Sequence, residues 1–344
     1  MSAPLAGVQV LVVGTGLAGL AAGRDLLRNG AQVTVVDARQ RVGGRVWTVR
    51  EPFLDRQHAE AGGDMIDGDQ REIHTLAREL GVTLVRVLRG GFGYVRADPA
   101  GRARMVRRSG TGGWERIADR LARLARPYLL AEQRWDTPIA ADLARRSVAA
   151  WLDEEKADQE LRRTATGLRG FFLADPEELS LLALVDQFAA GDQDWSEWRA
   201  YRIDGGNDRL AAALAATLGG RIKLGAEVIA VTQRGKEVRV SLKADRVVSQ
   251  MSADYVVFAI PATLLRRIPM TPALPTPQHE AIGKLKYGRG TKTLLQFARR
   301  FWRAPGRPSA FGSPFSFGAV WDGAEEQRGR SGILSLHAGG SASD

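Results

Sequence analysis

Six residues near the start of the chain, Gly14-Thr-Gly16-Leu17-Ala18-Gly19, have the types and spacing to hold a dinucleotide phosphate. They follow the short apolar, β-branched run Val8 to Val13 and open a helical pattern that runs from Leu20 to Asn29 and stops at Gly30. A second strand pattern, Gln32 to Val36, ends at Asp37, 23 positions after the first glycine. In that context Gly14 makes a tight turn, Gly16 admits a pyrophosphate against bare backbone, and Gly19 lets the helix pack on the strand. The first-turn amides of Leu17, Ala18 and Gly19 face the phosphates with the positive end of the helix dipole. Asp37 is placed to accept hydrogen bonds from ribose hydroxyls. The motif suits NAD and FAD equally.

The elements that must carry this cradle follow from the periodicity. Ile73 to Leu80 reads as a helix closed by Gly81, and 114–190 reads as mostly helical, with Asp175-Pro176-Glu-Glu178 as a helix start. A further helix spans Asp208 to Leu218. The period then changes to two: Ile222 to Leu224, Glu227 to Gln233 and Glu237 to Lys243 alternate as strands, with a hairpin turn at Arg234-Gly235-Lys236. Asp254 to Ile260 is a buried strand stopped by Pro261. Thr291 to Phe297 and Gly332 to His337 are strands flanking a stretch rich in proline and glycine.

Composition excludes several chemistries. The 344 residues contain no cysteine, so disulfides, thiolate metal sites and cysteine nucleophiles are ruled out. The four histidines, 58, 74, 279 and 337, show no metal-ligand spacing and read as core or surface residues; no metal is expected. A formal charge of +10 raises the question of nucleic acid, but only seven of the 49 basic residues are lysines. The arginines are scattered rather than gathered in a stripe, and no nucleic-acid partner is expected. No stretch approaches the roughly 20 apolar residues of a membrane span, and no basic leader precedes the first strand. A soluble, cytoplasmic protein is the expectation.

The residues after the first βαβ unit separate the two nucleotides. Asp37-Ala-Arg39-Gln-Arg41-Val-Gly43-Gly44-Arg45-Val resembles the second fingerprint of flavin enzymes of the monoamine oxidase type, in which glycines bring backbone to the diphosphate and an arginine such as Arg45 offers it charge-assisted hydrogen bonds. Further matches cover essentially the whole chain. Gly62-Gly63-Asp64-Met65-Ile66 resembles the family segment that passes under the flavin, and Tyr201-Arg-Ile-Asp-Gly205-Gly206 resembles the return to the FAD domain. Val228 stands where the family reads the adenine edge. Lys292 precedes Trp302 by ten positions, as the family's lysine precedes its Phe-Trp pair, here Phe301-Trp302.

The resemblance, to FAD-dependent amine oxidases of the monoamine and polyamine oxidase type, implies the following. The fold is α/β: a Rossmann-like FAD-binding domain built from discontinuous segments, with an inserted α+β substrate domain. The segments are 1–72 and 201–268 for FAD, 73–200 for the helical part of the substrate domain, and 269–344 for its sheet. FAD is held by Gly14, Gly16, Leu17, Ala18, Gly19, Asp37, Arg39, Gly44, Arg45, Gly62, Gly63, Asp64, Met65 and Val228. Lys292 is the catalytic residue, holding a water against flavin N5. Trp198, Arg199 and Tyr201 are candidate walls of the substrate pocket.

The reaction implied is hydride transfer from an amine α-carbon to FAD, imine hydrolysis, and reoxidation by O2 to H2O2. Asp64 replaces the arginine with which amino-acid oxidases clamp a carboxylate, and a carboxylate facing the pocket favours an amine over an α-amino acid. Two other readings stand beside this one. One is a desaturase or oxidase of a carbon skeleton, or an L-amino-acid oxidase. The other follows from the family's returning C-terminal FAD segment, on the order of 60 to 100 residues by element count, which the sequence lacks: either the sequence is a fragment, or a second polypeptide completes a split subunit, or the chain is a non-catalytic binding partner.

Overall fold

The computed structural model describes residues 4–97, 103–106, 112–190, 199–304 and 307–343. The strand Gln9–Val13 lies at the centre of a parallel sheet, between Gln32–Val36 and Tyr255–Phe258, and Ile222–Lys223 pairs outside Gln32–Val36. A strand in that position is buried on both faces and needs an unbroken apolar run, which it has. Val10 and Val12 point to one side, where the helices Leu17–Arg28 and Asp208–Leu218 cover them through Leu20, Leu214 and Leu218. Leu11 and Val13 point to the other, against an antiparallel meander of Glu227–Arg234, Glu237–Ala244 and Val247–Ala253.

A second layer joins segments far apart in sequence. Ala200–Ile203 pairs antiparallel with both Ile66–Asp67 and Leu84–Val87, and the helix Arg71–Glu79 packs on this small sheet through Ala77. The expected boundary at 72/73 therefore moves. Strand pairing and a shared core keep residues 73–87 with the nucleotide-binding unit. Met270–Thr271 likewise pairs with Val231–Thr232 and extends that unit past 268.

The six-stranded sheet runs in the order Gly290–Phe297, Gly332–Gly339, Ala319–Asp322, Ala310–Gly312, Phe92–Ala97, Ala103–Val106. Two of its strands thus come from the part expected to be helical. Helices Gly112–Leu130, Pro138–Arg145, Val148–Glu154, Gln159–Thr166 and Leu181–Ala190 gather around Trp151, Tyr128 and Leu121. Thr137, Ser147 and Asp158 cap three of them by accepting from Ala140, Ala150 and Leu161 amides, each cap contributing ~1 kcal/mol. Asp175-Pro176-Glu-Glu178 is a turn and not a helix start: Glu178 and Leu179 both donate to the Asp175 carbonyl, and the helix begins at Leu181.

The helical layer meets the sheet at bare backbone. A Cβ on Gly170, in the short helix Arg169–Phe172, would stand 2.5 Å from Ala319 N and from Gly318 C. Neither backbone atom can swing aside, so Gly170→Ala is expected to lower unfolding free energy by about 1–3 kcal/mol. Urea denaturation with an unchanged midpoint would show that the two layers have slack there.

Candidate active site

Gly14 leaves the first strand with φ +109°, and a Cβ there would come 2.7 Å from Ala259 O. A Cβ on Gly19 would run into Gly14 O, so strand, turn and helix stack only because both positions are bare. At Gly16 a Cβ would meet nothing within 4 Å; the space in front of that backbone is open. The first helical hydrogen bond is Leu20 N to Gly16 O. The amides of Leu17, Ala18 and Gly19 precede it and have no intrahelical acceptor. Asp37 accepts from Thr15 N and Oγ1 at 2.7 Å on one oxygen and from Arg39 N at 2.9 Å on the other.

The second glycine loop lies on this turn. Gly43 N donates to Thr15 O at 2.8 Å, and a Cβ on Gly44 would stand 3.1 Å from Gly16 Cα. Arg39 and Arg41 both donate to Gly44 O, fixing the loop, and Arg41 stacks over Trp47. Arg45 is exposed beside them, with no side-chain hydrogen bond among the described residues. Gly225 and Ala226 amides bond to Arg39 O and Asp37 O, which sets the strand carrying Val228 alongside. An open face over Gly16, orphan amides, a carboxylate at the strand end and a free guanidinium fit the diphosphate and ribose of FAD.

Lys292 stands on the edge strand of the six-stranded sheet and reaches into the Gly62-Gly63 loop. Its Nζ donates to Glu60 O at 2.9 Å, to Gly62 O at 2.8 Å and to Asp64 Oδ2 at 3.2 Å, over the Trp321 ring at 5.4 Å. These three acceptors match the three ammonium hydrogens. Asp64 is buried, and its other contacts are Arg202 Nε at 2.7 Å on Oδ1 and Trp321 Nε1 at 2.7 Å on Oδ2. Arg202 in turn holds Glu326 at 3.0 Å and the Asp322 carbonyl at 3.2 Å. Asp322 holds Trp302 Nε1 at 2.8 Å, which joins the Phe301-Trp302 pair to the same network.

Other expected site residues lie elsewhere. Tyr201 faces away from Lys292, its ring on His74 and its flank in the core around Ile203. The reason is strand parity: Ala200 and Arg202 share the face toward Trp321 and Asp64, and Tyr201 takes the opposite one. Arg199 is exposed at the strand start, and Trp198 lies outside the described residues. Met65 packs with Val87 and Trp321. Asp64 is not presented to a pocket, because Arg202, Trp321 and Lys292 occupy both its oxygens; the inference from its charge to a cationic substrate loses its physical basis. Sequence reading passed over Arg202, Glu60, Trp321, Glu326 and His337. The signal for Arg202 was present, a lone arginine between Ala200 and Ile203 in an apolar strand.

Burial by itself would push the Asp64 carboxyl up, but the Arg202 guanidinium and then the Lys292 ammonium outweigh it and hold the group below its ordinary value. The Glu60 carboxylate has no ion pair among the described residues. Burial raises it to about 7, against the opposing hydrogen bonds from Asn207 N and Thr48 Oγ1. Among the described residues no cluster of histidine, aspartate and glutamate could hold a metal ion, and no helix is long and apolar enough to cross a membrane.

Two consequences are measurable. Arg202→Leu leaves the buried Glu326 with only the neutral Gln327 amide on its other oxygen and Asp64 Oδ1 without its cation, and is expected to cost about 3–5 kcal/mol; a loss below about 1 kcal/mol in urea denaturation would show these charges are solvated. For Glu60 the folded value exceeds the unfolded 4.5. Its contribution is therefore fully present below pH 4.5 and lost as pH rises through about 7. Glu60→Gln should remove that decline, on the order of 3 kcal/mol. Parallel pH-stability curves for the two proteins would mean that Glu60 is ionised throughout.

The geometry has counterparts in known proteins. Residues 17–342 match the family model described as flavin containing amine oxidoreductase. AofH of Mycobacterium tuberculosis, assigned as a flavin-containing monoamine oxidase, is 31% identical over 318 residues, covering 87% of this chain and 67% of that protein. The L-amino-acid oxidase of Notechis scutatus scutatus is 28% identical, over 87% of this chain and 59% of its own length. A structure of putrescine oxidase bound to putrescine superposes with a TM-score of 0.80 at 26% identity, over 97% of this chain and 76% of the other. Cyclohexylamine oxidase from Brevibacterium oxydans gives 0.82 at 25% identity, over 98% and 76%. The chain accordingly spans between about three fifths and three quarters of the proteins it resembles. With a family match over residues 17–342 and a relative 31% identical over 87% of this chain, this chain belongs to the FAD-dependent flavin containing amine oxidoreductases.

Proposed function

We propose that the protein oxidises a small-molecule amine, with Lys292 as the residue that links substrate sheet and flavin loop at the reacting centre. The observation that carries this reading is the reach of Lys292 Nζ across to Glu60 O and Gly62 O, which puts the substrate-side sheet directly against the loop expected under the flavin. When bound, FAD supplies the two-electron acceptor for the amine α-carbon, and O2 takes those electrons on to H2O2. The chain's own residues do the rest. Gly16 leaves room for the diphosphate, bare Gly14 and Gly19 let strand, turn and helix stack behind it, and the Leu17, Ala18 and Gly19 amides with Arg45 offer donors to it. Asp37, pre-oriented by Thr15, receives the ribose.

Lys292 fixes the distance between the two layers and keeps a positive charge beside the place where electrons arrive. It holds a water for imine hydrolysis by releasing Asp64, the longest of its three contacts at 3.2 Å. The side chains of Trp321 and His337 provide an aromatic flank on the same face of the sheet. The putrescine and cyclohexylamine oxidases among the structural relatives act on amines by their names, which supports an amine substrate here over a carbon skeleton.

The test is peroxide release from a panel of primary, secondary and α-carboxylated amines by the purified chain loaded with FAD, with flavin retention read from its yellow absorbance. Lys292→Met should keep the flavin and slow turnover by at least about tenfold; unchanged turnover would remove Lys292 from the reaction. A chain that is colourless alone and becomes yellow and active only with a second polypeptide supports the split form of the same reading. Failure to retain flavin under either condition would sink it.

A further inference from the structure

His337 is a titratable group that neither the cradle nor the Lys292 network uses. It lies directly opposite Lys292 in the antiparallel pair of Gly290–Phe297 and Gly332–Gly339, so both side chains leave the same face. Its ring stands edge-on to Trp321 at 5.0 Å, and the same indole lies 5.4 Å from Lys292 Nζ. His337 Nδ1 is 3.0 Å from the Gly170 carbonyl, which can only accept, so Nδ1 carries the hydrogen. In the neutral ring Nε2 is then the bare, accepting nitrogen. The ring is half-buried, and the Nδ1 contact to Gly170 is its one hydrogen bond among the described residues.

The charged groups facing the ring are Lys292 and Asp64. On the helix packed beneath it, Arg169 directs its guanidinium to Phe315 O at 2.7 Å and toward Asp175 at 3.8 Å. Burial first, and then the Lys292 ammonium, depress the imidazole below its ordinary value, against the opposing Gly170 and Asp64 contributions. An amine reaches the site as an ammonium ion, and in that form its nitrogen has no lone pair to assist loss of hydride from the α-carbon. A base is needed. The Lys292 ammonium cannot serve, and Asp64 is closed by Arg202, Trp321 and Lys292.

Resting on the amine-oxidising reading above, we propose that His337 Nε2 takes the proton from the substrate ammonium. The ammonium N–H bond breaks with its electron pair left on the amine nitrogen, and an N–H bond forms at Nε2. No electron changes hands; the positive charge passes to the imidazolium and leaves with the proton to water. The substrate class this selects is an amine that arrives protonated, with no requirement for an α-carboxylate.

The test uses the FAD-loaded full chain and its His337→Gln variant with 1-butylamine as the probe. At pH 7 the variant's kcat/KM should fall more than about tenfold, with flavin absorbance and melting temperature unchanged. The loss should close as pH approaches about 10, where an alkylamine is increasingly neutral without help. A variant-to-wild-type ratio that stays constant from neutral pH to about pH 10 overturns the proposal. Nitrogen-15 histidine spectra of the wild-type chain give a second readout that needs no turnover: Nε2 of His337 should be unprotonated at pH 7, and a protonated Nε2 overturns the proposal. Wild type that holds FAD but oxidises no amine sinks the amine reading, and this proposal with it. The constant ratio or the wrong tautomer sinks His337 alone.

Discussion

The architecture turns on one buried ion set. Lys292, Asp64, Arg202 and Glu326 each have side chains no more than 7% exposed, and they come from four separate stretches of chain. Two cations meet two anions at 2.7 to 3.2 Å, with the Trp321 indole and two loop carbonyls completing the polar demand. Taking four charges from water is costly, and such a set contributes more to choosing one arrangement than to net stability. Here the arrangement chosen is the docking of the substrate sheet onto the glycine loop. Slip the sheet strand by one residue and Lys292 points to the other face, leaving Asp64 short of a cation.

The same set explains the neighbouring carboxyl. Glu60 lies one turn of the loop from Asp64, and the Asp64 charge adds to the burial that raises Glu60 to about 7. A third anion would unbalance two cations already matched by two anions. Thr48 and the Asn207 amide give Glu60 hydrogen bonds without formal charge. Asn207 also ties Gly63 O and Asp64 O through its side-chain amide, so the return from the substrate layer is stitched to the loop it must face.

Local motifs were legible because their meaning is local. The turn Gly14 to Gly19, the strand ending at Asp37 and the hairpin from Glu227 to Lys243 depend on residues within a few positions of one another, and each forms at its expected place, with the first helix starting at Leu17 rather than Leu20 and an unexpected third strand, Val247–Ala253, joining the hairpin. What escaped sequence reading depends on pairing between distant segments. Nothing in 73–87 announces that its strand will pair with Ala200–Ile203, and nothing near Phe92 announces a place beside Ala310–Gly312. The Tyr201 error was of a different kind. A single step of strand parity separates it from Arg202, and the apolar neighbours on both sides could have decided which residue faces the core network.

Closing Asp64 off changes the charge logic of the pocket. A free carboxylate would attract an ammonium ion and hold it protonated, stabilising the very form that resists hydride loss. With Asp64 matched by Arg202 and Lys292, the face beside the loop presents instead an indole, an imidazole and a lysine stem, at nearly neutral local charge. Such a surface penalises the desolvated ammonium and favours the free amine. On the proposed amine-oxidising reading, the sealed ion set and His337 act in the same direction: one withholds the counter-ion that would keep the substrate charged, and the other is the proposed acceptor of its proton.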